Sequence, residues 1–273
     1  MALIVFGSHK GSPGATLTAL AVAAAWPSDD GRKRILVEAD PSGGALAMRY
    51  GLSRDPGLLT LATAVRHGMA TAEEILTNTQ VLPGGLFTVL APEHASSVDA
   101  AFRVSGLALG KTLSEATEFD VIVDVGRLSP SSPASSLLTV ADAVFMVARP
   151  TPEQIVPGAE VLKSIPNGRW CLIGEKPYSA EHVADTFGVP AFVIADDARG
   201  AKAIESGGSA KTVRRSALMR SARELAEAID GAVNASLPES TAPVPEPEPQ
   251  SMFSDSGSSD PASEVSSSVV TPQ

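Results

Sequence analysis

Short, continuously apolar runs alternate along the chain with longer stretches in which apolar residues recur every three or four positions. The runs at 2–6, 34–38, 86–91, 121–124, 143–148, 170–173 and 191–194 read as strands. A strand with one wet face alternates apolar and polar residues, whereas an uninterrupted apolar strand belongs to a parallel sheet covered on both faces. Helical spacing marks residues near 15–25, 97–117, 153–164, 180–187 and 213–233. This alternation predicts an α/β protein with one doubly wound, mostly parallel sheet, helices on both faces and right-handed crossovers. In the last helical stretch Leu218, Ala222, Leu225, Ile229 and Val233 form a stripe expected to dock on the sheet.

The pattern stops at Ala235. Beyond it Pro243, Pro245, Pro247 and Pro249 punctuate an acidic stretch, and serines dominate what remains. Such a segment buries too little apolar surface to offset its ordering entropy. The expected organisation is one domain over 1–235 and a disordered acidic Ser/Pro-rich tail over 236–273.

Composition narrows the chemistry. Hydrophobic residues at 44% and charged residues at 19% suit a globular protein with a sizeable core. Cys171 is the single cysteine, which excludes an intrachain disulfide and a thiolate metal cluster, and its apolar neighbours predict a core residue. His9, His67, His94 and His182 are scattered without metal-ligand spacing. Residues 1–6 run straight into a glycine loop and lack the features of a signal peptide. No window offers the roughly 18 uncharged apolar residues of a spanning helix. A cytoplasmic protein without a membrane anchor is expected.

Net charge is −10, but residues 236–273 hold six acids and no Lys or Arg, which leaves −4 for the rest. Against that background Arg199, Lys202, Lys211, Arg214, Arg215, Arg220 and Arg223 fall within 25 residues containing one acid, Glu205. Lys211, Arg214, Arg215 and Arg220 are the centre of a candidate contact with an anionic surface; a solvated helical face accounts for them equally well.

The most informative segment is Gly7-Ser8-His9-Lys10-Gly11-Ser12-Pro13-Gly14-Ala15-Thr16-Leu17. It follows the first strand and opens a helix. Glycines let successive backbone N–H groups turn inward, and the helix adds its positive N-terminal end, so the arrangement suits a phosphate. A threonine at the helix start can give its hydroxyl to a phosphate-bound Mg²⁺.

Lys10-Gly11-Ser12-Pro13-Gly14-Ala15-Thr16 resembles the deviant Walker A motif of the MinD/ParA ATPases, K-G-G-x-G-K-S/T. Lys10 matches the signature lysine, Gly11 and Gly14 the glycines, and Thr16 the Mg²⁺ ligand. Ser12 replaces a glycine, and Ala15 replaces the lysine that reaches the β/γ-phosphates. Glu38-Ala39-Asp40-Pro41-Ser42-Gly43 is similar to the family's switch I, with Asp40 on the carboxylate that orients the attacking water. Phe119-Asp120-Val121-Ile122-Val123-Asp124 is similar to its Walker B strand, with Asp124 holding Mg²⁺ and Gly126 opening switch II. The resemblance spans residues 1–230. It implies a P-loop NTPase fold with ATP and Mg²⁺ as cofactors. Lys10, Gly11, Ser12, Pro13, Gly14, Ala15, Thr16 and Leu17 would hold the phosphates; Thr16, Asp124 and Asp40 would hold the metal; Asp40 and Lys10 would carry any catalysis. It also implies a nucleotide-dependent homodimer in which Lys10 reaches the partner's phosphates.

Losing the second lysine has a magnitude. A charge-assisted hydrogen bond contributes roughly 1.5–3 kcal/mol, so affinity would fall by about one to two decades and hydrolysis would slow. The function implied first is a spatial-organising nucleotide switch of the chromosome or plasmid partitioning type that touches DNA through the basic cluster, with weak or absent hydrolysis. The alternative is a localisation factor for a pilus or secretion apparatus, acting through protein contacts. A MinD-like membrane cycle is disfavoured, because the chain ends in an acidic tail rather than a basic amphipathic helix. A dinucleotide oxidoreductase with Glu38 on the ribose is the remote third reading; no G-x-G-x-x-G is present, and neither Tyr50 nor Tyr178 is followed by a lysine four residues on. Relatives often carry an asparagine where this chain has Gly174-Glu175-Lys176-Pro177, so no residue here specifies adenine.

Overall fold

A computed structural model describes residues 1–10, 14–27 and 31–236. Gly11, Ser12 and Pro13 of the phosphate loop lie outside the described residues, as does the expected tail beyond Ser236.

The first strand is β1 (Leu3–Ser8), followed by α1 (Ala15–Ala25) and β2 (Lys33–Glu38). Next come α2 (Leu46–Tyr50), α3 (Leu58–Ala64) and α4 (Ala72–Thr77), then β3 (Gln80–Leu82) and β4 (Leu86–Val89). The long helix α5 (Ala95–Glu115) leads to β5 (Phe119–Arg127), α6 (Ser135–Val140) and β6 (Ala143–Ala148). The chain closes with α7 (Pro152–Leu162), β7 (Gly168–Ile173), α8 (Ala180–Phe187), β8 (Ala191–Ile194), α9 (Ala198–Glu205), α10 (Ala210–Arg214) and α11 (Ala217–Ser236).

The strands form one sheet in the order β3-β4-β2-β5-β1-β6-β7-β8, parallel throughout except for β3. All seven expected strands are present. The short edge strand β3 was not expected; it folds back on β4 through Pro83-Gly84-Gly85, with Gly84 and Gly85 at φ +95° and +86°. The continuous apolar runs have the predicted cause. Along β1, Leu3 and Val5 enter the core on one face while Ile4 and Phe6 enter that on the other. One face is covered by α3, α5, α6, α7 and α8, the other by α1, α2, α9 and α11. Cys171 is fully buried in β7, and burial pushes its thiol up to about 12.

The helix expected over 213–233 is two helices, α10 and α11. The chain breaks at Ser216, whose hydroxyl accepts from the Met219 amide at 3.2 Å, a hydrogen bond that competes with helix continuation. The predicted stripe is correct in its residues: Leu218, Ala222, Leu225 and Ile229 are buried and Val233 is half-buried. It packs along α1 as well as on β8.

Candidate functional site

Parallel strands bring their carboxyl ends to one edge, and ligands of doubly wound sheets bind there. Register places Phe6 of β1 beside Asp124 of β5, and Asp124 beside Glu38 of β2. Loops leaving three adjacent strands therefore meet around the start of α1.

Gly14 precedes α1 at φ +89°, a left-handed conformation that glycine adopts without a Cβ penalty. Among the described residues no side chain caps the helix, and its first turn holds no acid. Among the described residues the first amides of α1 and its positive end are thus without a side-chain partner. They border a cavity of 440 Å³ whose wall includes Gly14, Ala15, Thr16, Asp40, Gly126 and Arg127. A second cavity, 540 Å³, adjoins at Gly14, Leu17 and Glu205 and extends to Ile173, Asp196 and Lys202. Arg149 and Asp196 form a two-pronged ion pair at its edge, at 2.6 and 3.2 Å.

Asp124 lies behind the first cavity, 1% exposed. Its Oδ1 accepts from the Gly126 amide at 2.9 Å; the Thr16 hydroxyl stands near enough to stabilise the carboxylate, but its geometry does not make a hydrogen bond, so Oδ2 has no partner among the described residues. Burial pushes its carboxyl up to about 6; the Thr16 hydroxyl and the Gly126 amide pull it back, and Asp40 and Glu38 push it further. A buried carboxylate oxygen without a donor is costly. A cation would satisfy it. Among the described residues no three His, Cys, Asp or Glu side chains converge, so an ion held here needs oxygens from a nucleotide or water, as Mg²⁺ commonly does. The residues present fit magnesium nucleotide.

Asp40 is half-buried and holds its own turn: Oδ1 accepts from Ser42 N at 2.8 Å and the carbonyl from Gly43 N at 3.0 Å. The turn places Asp40 on the cavity wall. Ala15 is buried in the apolar cluster beneath α1 as well as lining the cavity, and brings no charge. Lys10 is exposed and does not line the cavity.

Glu38 has a different task from the ribose contact of the oxidoreductase reading. Its Oε1 accepts from Ala45 N and Leu46 N at 2.7 and 3.0 Å, and Oε2 from Ala91 N at 3.0 Å. Both oxygens anchor backbone at α2 and just beyond β4, and Glu38 is 2% exposed and lines neither cavity. Glu38 is therefore not placed to meet a ribose in either cavity.

Sequence reasoning missed three residues here. Arg127 ends β5 and Arg149 follows β6, both without a motif. Asp197 caps two helices, accepting from Arg199 N and Gly200 N in α9 and from Ala217 N and Leu218 N in α11. Only its position before α9, as an N-capping aspartate, was visible.

The seven cations from Arg199 to Arg223 are all exposed, and none is in an ion pair among the described residues. Glu205, the acid in their midst, pairs instead with Arg49 at 3.8 Å.

No family model matches the chain, and no curated protein matches it by sequence. Solved structures do. The ParA family ATPase from Chlorobium tepidum superposes with a TM-score of 0.65 at 17% identity, over 83% of this chain and 97% of that one. The septum site-determining protein MinD from Pyrococcus horikoshii, complexed with Mg-ADP, gives 0.65 at 20% identity over 86% and 98%. The fold is that of the MinD and ParA ATPases. A cobyrinic acid a,c-diamide synthase from Mycobacterium smegmatis with bound ADP and magnesium shares it, at 0.57 and 18% identity over 86% and 96%. On the MinD/ParA fold the described cavities occupy the carboxyl edge of the sheet. Among the described residues no helix is long and apolar enough to cross a membrane.

Proposed function

We propose that this chain is a MinD/ParA-like nucleotide switch for spatial organisation, of the chromosome or plasmid partitioning type, with slow or absent ATP hydrolysis. A fold alone does not select a function; one observation carries the reading. Asp124 Oδ2, without a partner among the described residues, beside Thr16 and behind a helix start that no described side chain caps, is the arrangement a magnesium nucleotide completes.

Bound Mg-ATP would supply the phosphoanhydride whose state the switch reports. The amides opening α1 would take its phosphates. The Thr16 hydroxyl and Asp124 would hold the metal, and Asp40 would orient a water. Ala15 leaves the developing charge without the usual lysine, which slows hydrolysis. Lys10, exposed and outside its own cavity, is free to reach a second copy. The unpaired cations from Arg199 to Arg223 suit a DNA backbone, where contacts are sequence-independent and salt-sensitive.

Light scattering after size exclusion tests the switch. The full chain is expected to dimerise with Mg-ATP, and Lys10→Ala to remain monomeric. A wild-type chain whose mass is unchanged by saturating Mg-ATP is not a nucleotide-dependent switch.

A further inference from the structure

We infer that Arg127 supplies, from within the same chain, the cation that position 15 lacks, placing its guanidinium on the terminal phosphates of the bound nucleotide. The inference rests on the nucleotide site proposed above. Its first support is placement. β5 runs on past Asp124, and after a bulge its pairing with β1 resumes at Ser8 and Arg127. The Ser8 hydroxyl donates to the Gly126 carbonyl at 3.2 Å, and the Leu128 amide donates to the Ser8 carbonyl at 2.9 Å. The Arg127 backbone is thereby held from both sides at the root of the phosphate loop.

The second support is its surroundings. Arg127 lines the 440 Å³ cavity together with Ala15 and Thr16. It is exposed, and no carboxylate pairs with it among the described residues. Two carboxylates share the cavity wall, but each is engaged elsewhere: Asp40 Oδ1 accepts from Ser42 N at 2.8 Å, and Glu205 pairs with Arg49 at 3.8 Å.

The other cations are worse placed. Arg49 also lines the cavity but is paired with Glu205 at 3.8 Å. Lys10 lies outside the cavity wall. A guanidinium offers a planar fork that matches phosphate oxygens two at a time, so an arginine on a fixed strand end replaces the missing ammonium in holding the bound phosphates, while the charge that develops during hydrolysis still lacks the lysine at position 15.

Equilibrium dialysis of the full chain with Mg-ATP and with AMP, which lacks the terminal phosphates, tests this. Arg127→Ala is expected to weaken Mg-ATP by about 10- to 100-fold, the range of one charge-assisted contact, and to leave AMP nearly unchanged. Adding Ala15→Lys to Arg127→Ala is expected to restore Mg-ATP binding, which a misfolded chain would not do. If wild type binds Mg-ATP and Arg127→Ala binds it equally well, or if ATP and AMP weaken alike, Arg127 is not the surrogate and the nucleotide site stands. If wild type itself binds no Mg-ATP, the site and the inference both fall.

Discussion

Gly126 lies against the Asp40 carboxylate with no room for a methyl group between them, and its backbone takes φ +59°. The end of β5 and the turn after β2 are thus fitted to each other at the proposed switch. Gly126→Ala is expected to cost about 1–2 kcal/mol for the left-handed backbone, plus the displacement of Asp40. Denaturant unfolding of Gly126→Ala, Asp40→Ala and the double variant separates these costs. The double variant should recover the steric part and keep the backbone part. Additive losses would mean the two residues do not compete for space.

Asp124 is held ionised at neutral pH against its burial, which raises its carboxyl to about 6. The folded state therefore binds the proton more tightly than the unfolded chain, and the carboxylate costs stability once it ionises. Asp124→Asn is expected to stabilise the magnesium-free protein at pH 7, by up to roughly 3 kcal/mol. With Mg-ATP the order should reverse, because only the carboxylate holds the metal. Thermal unfolding in EDTA and in Mg-ATP checks both; a variant less stable than wild type in EDTA contradicts the account.

Asp197 behaves oppositely. Its carboxyl is held below the usual range, chiefly by the Gly200 amide and then by those of Leu218, Ala217 and Arg199. The stability it contributes is present above the ordinary carboxylate range and is lost as pH falls through the lowered value. Asp197→Ala is expected to cost about 1–2 kcal/mol at neutral pH, as lost helix caps do. That difference should shrink as pH falls below about 3.9. A deficit that stays constant into acid would mean the ionised cap is not its source.

The exposed cations predict DNA binding that weakens steeply with salt. Arg214→Ala/Arg215→Ala is expected to weaken binding to unrelated sequences alike and to reduce the slope of log K against log salt by about 2. A mobility shift indifferent to the double substitution, or no shift for wild type, would move the work of these cations to a protein surface such as a pilus or secretion component.

The sheet was legible because its strands are buried on both faces, which makes 2–6, 121–124 and 143–148 read as unbroken apolar runs. The edge strand β3 was not, since three residues hydrogen-bonded on one side carry no period; its signal was the turn at Pro83-Gly84-Gly85. The short helices α2, α3, α6 and α9 are set by tertiary contacts such as Glu38 on the amides of Ala45 and Leu46. α4 was not expected either, although the capping box of Thr71 and Glu74 marks its start. At the site, Gly14, Ala15, Thr16, Leu17, Asp40 and Gly126 line one cavity with Asp124 behind it, because motif order along the chain fixes which loops share the sheet's carboxyl edge. Arg127 was hidden because a bulge, not a motif, turns it into that cavity.

Calorimetric titration of ATP into the full chain, with and without magnesium, reads most directly whether Asp124 and the start of α1 form a nucleotide site. The structure predicts saturable, magnesium-dependent binding at or below millimolar concentration that Asp124→Asn abolishes. Absence of binding to wild type at millimolar Mg-ATP, or binding indifferent to both magnesium and Asp124→Asn, would contradict it.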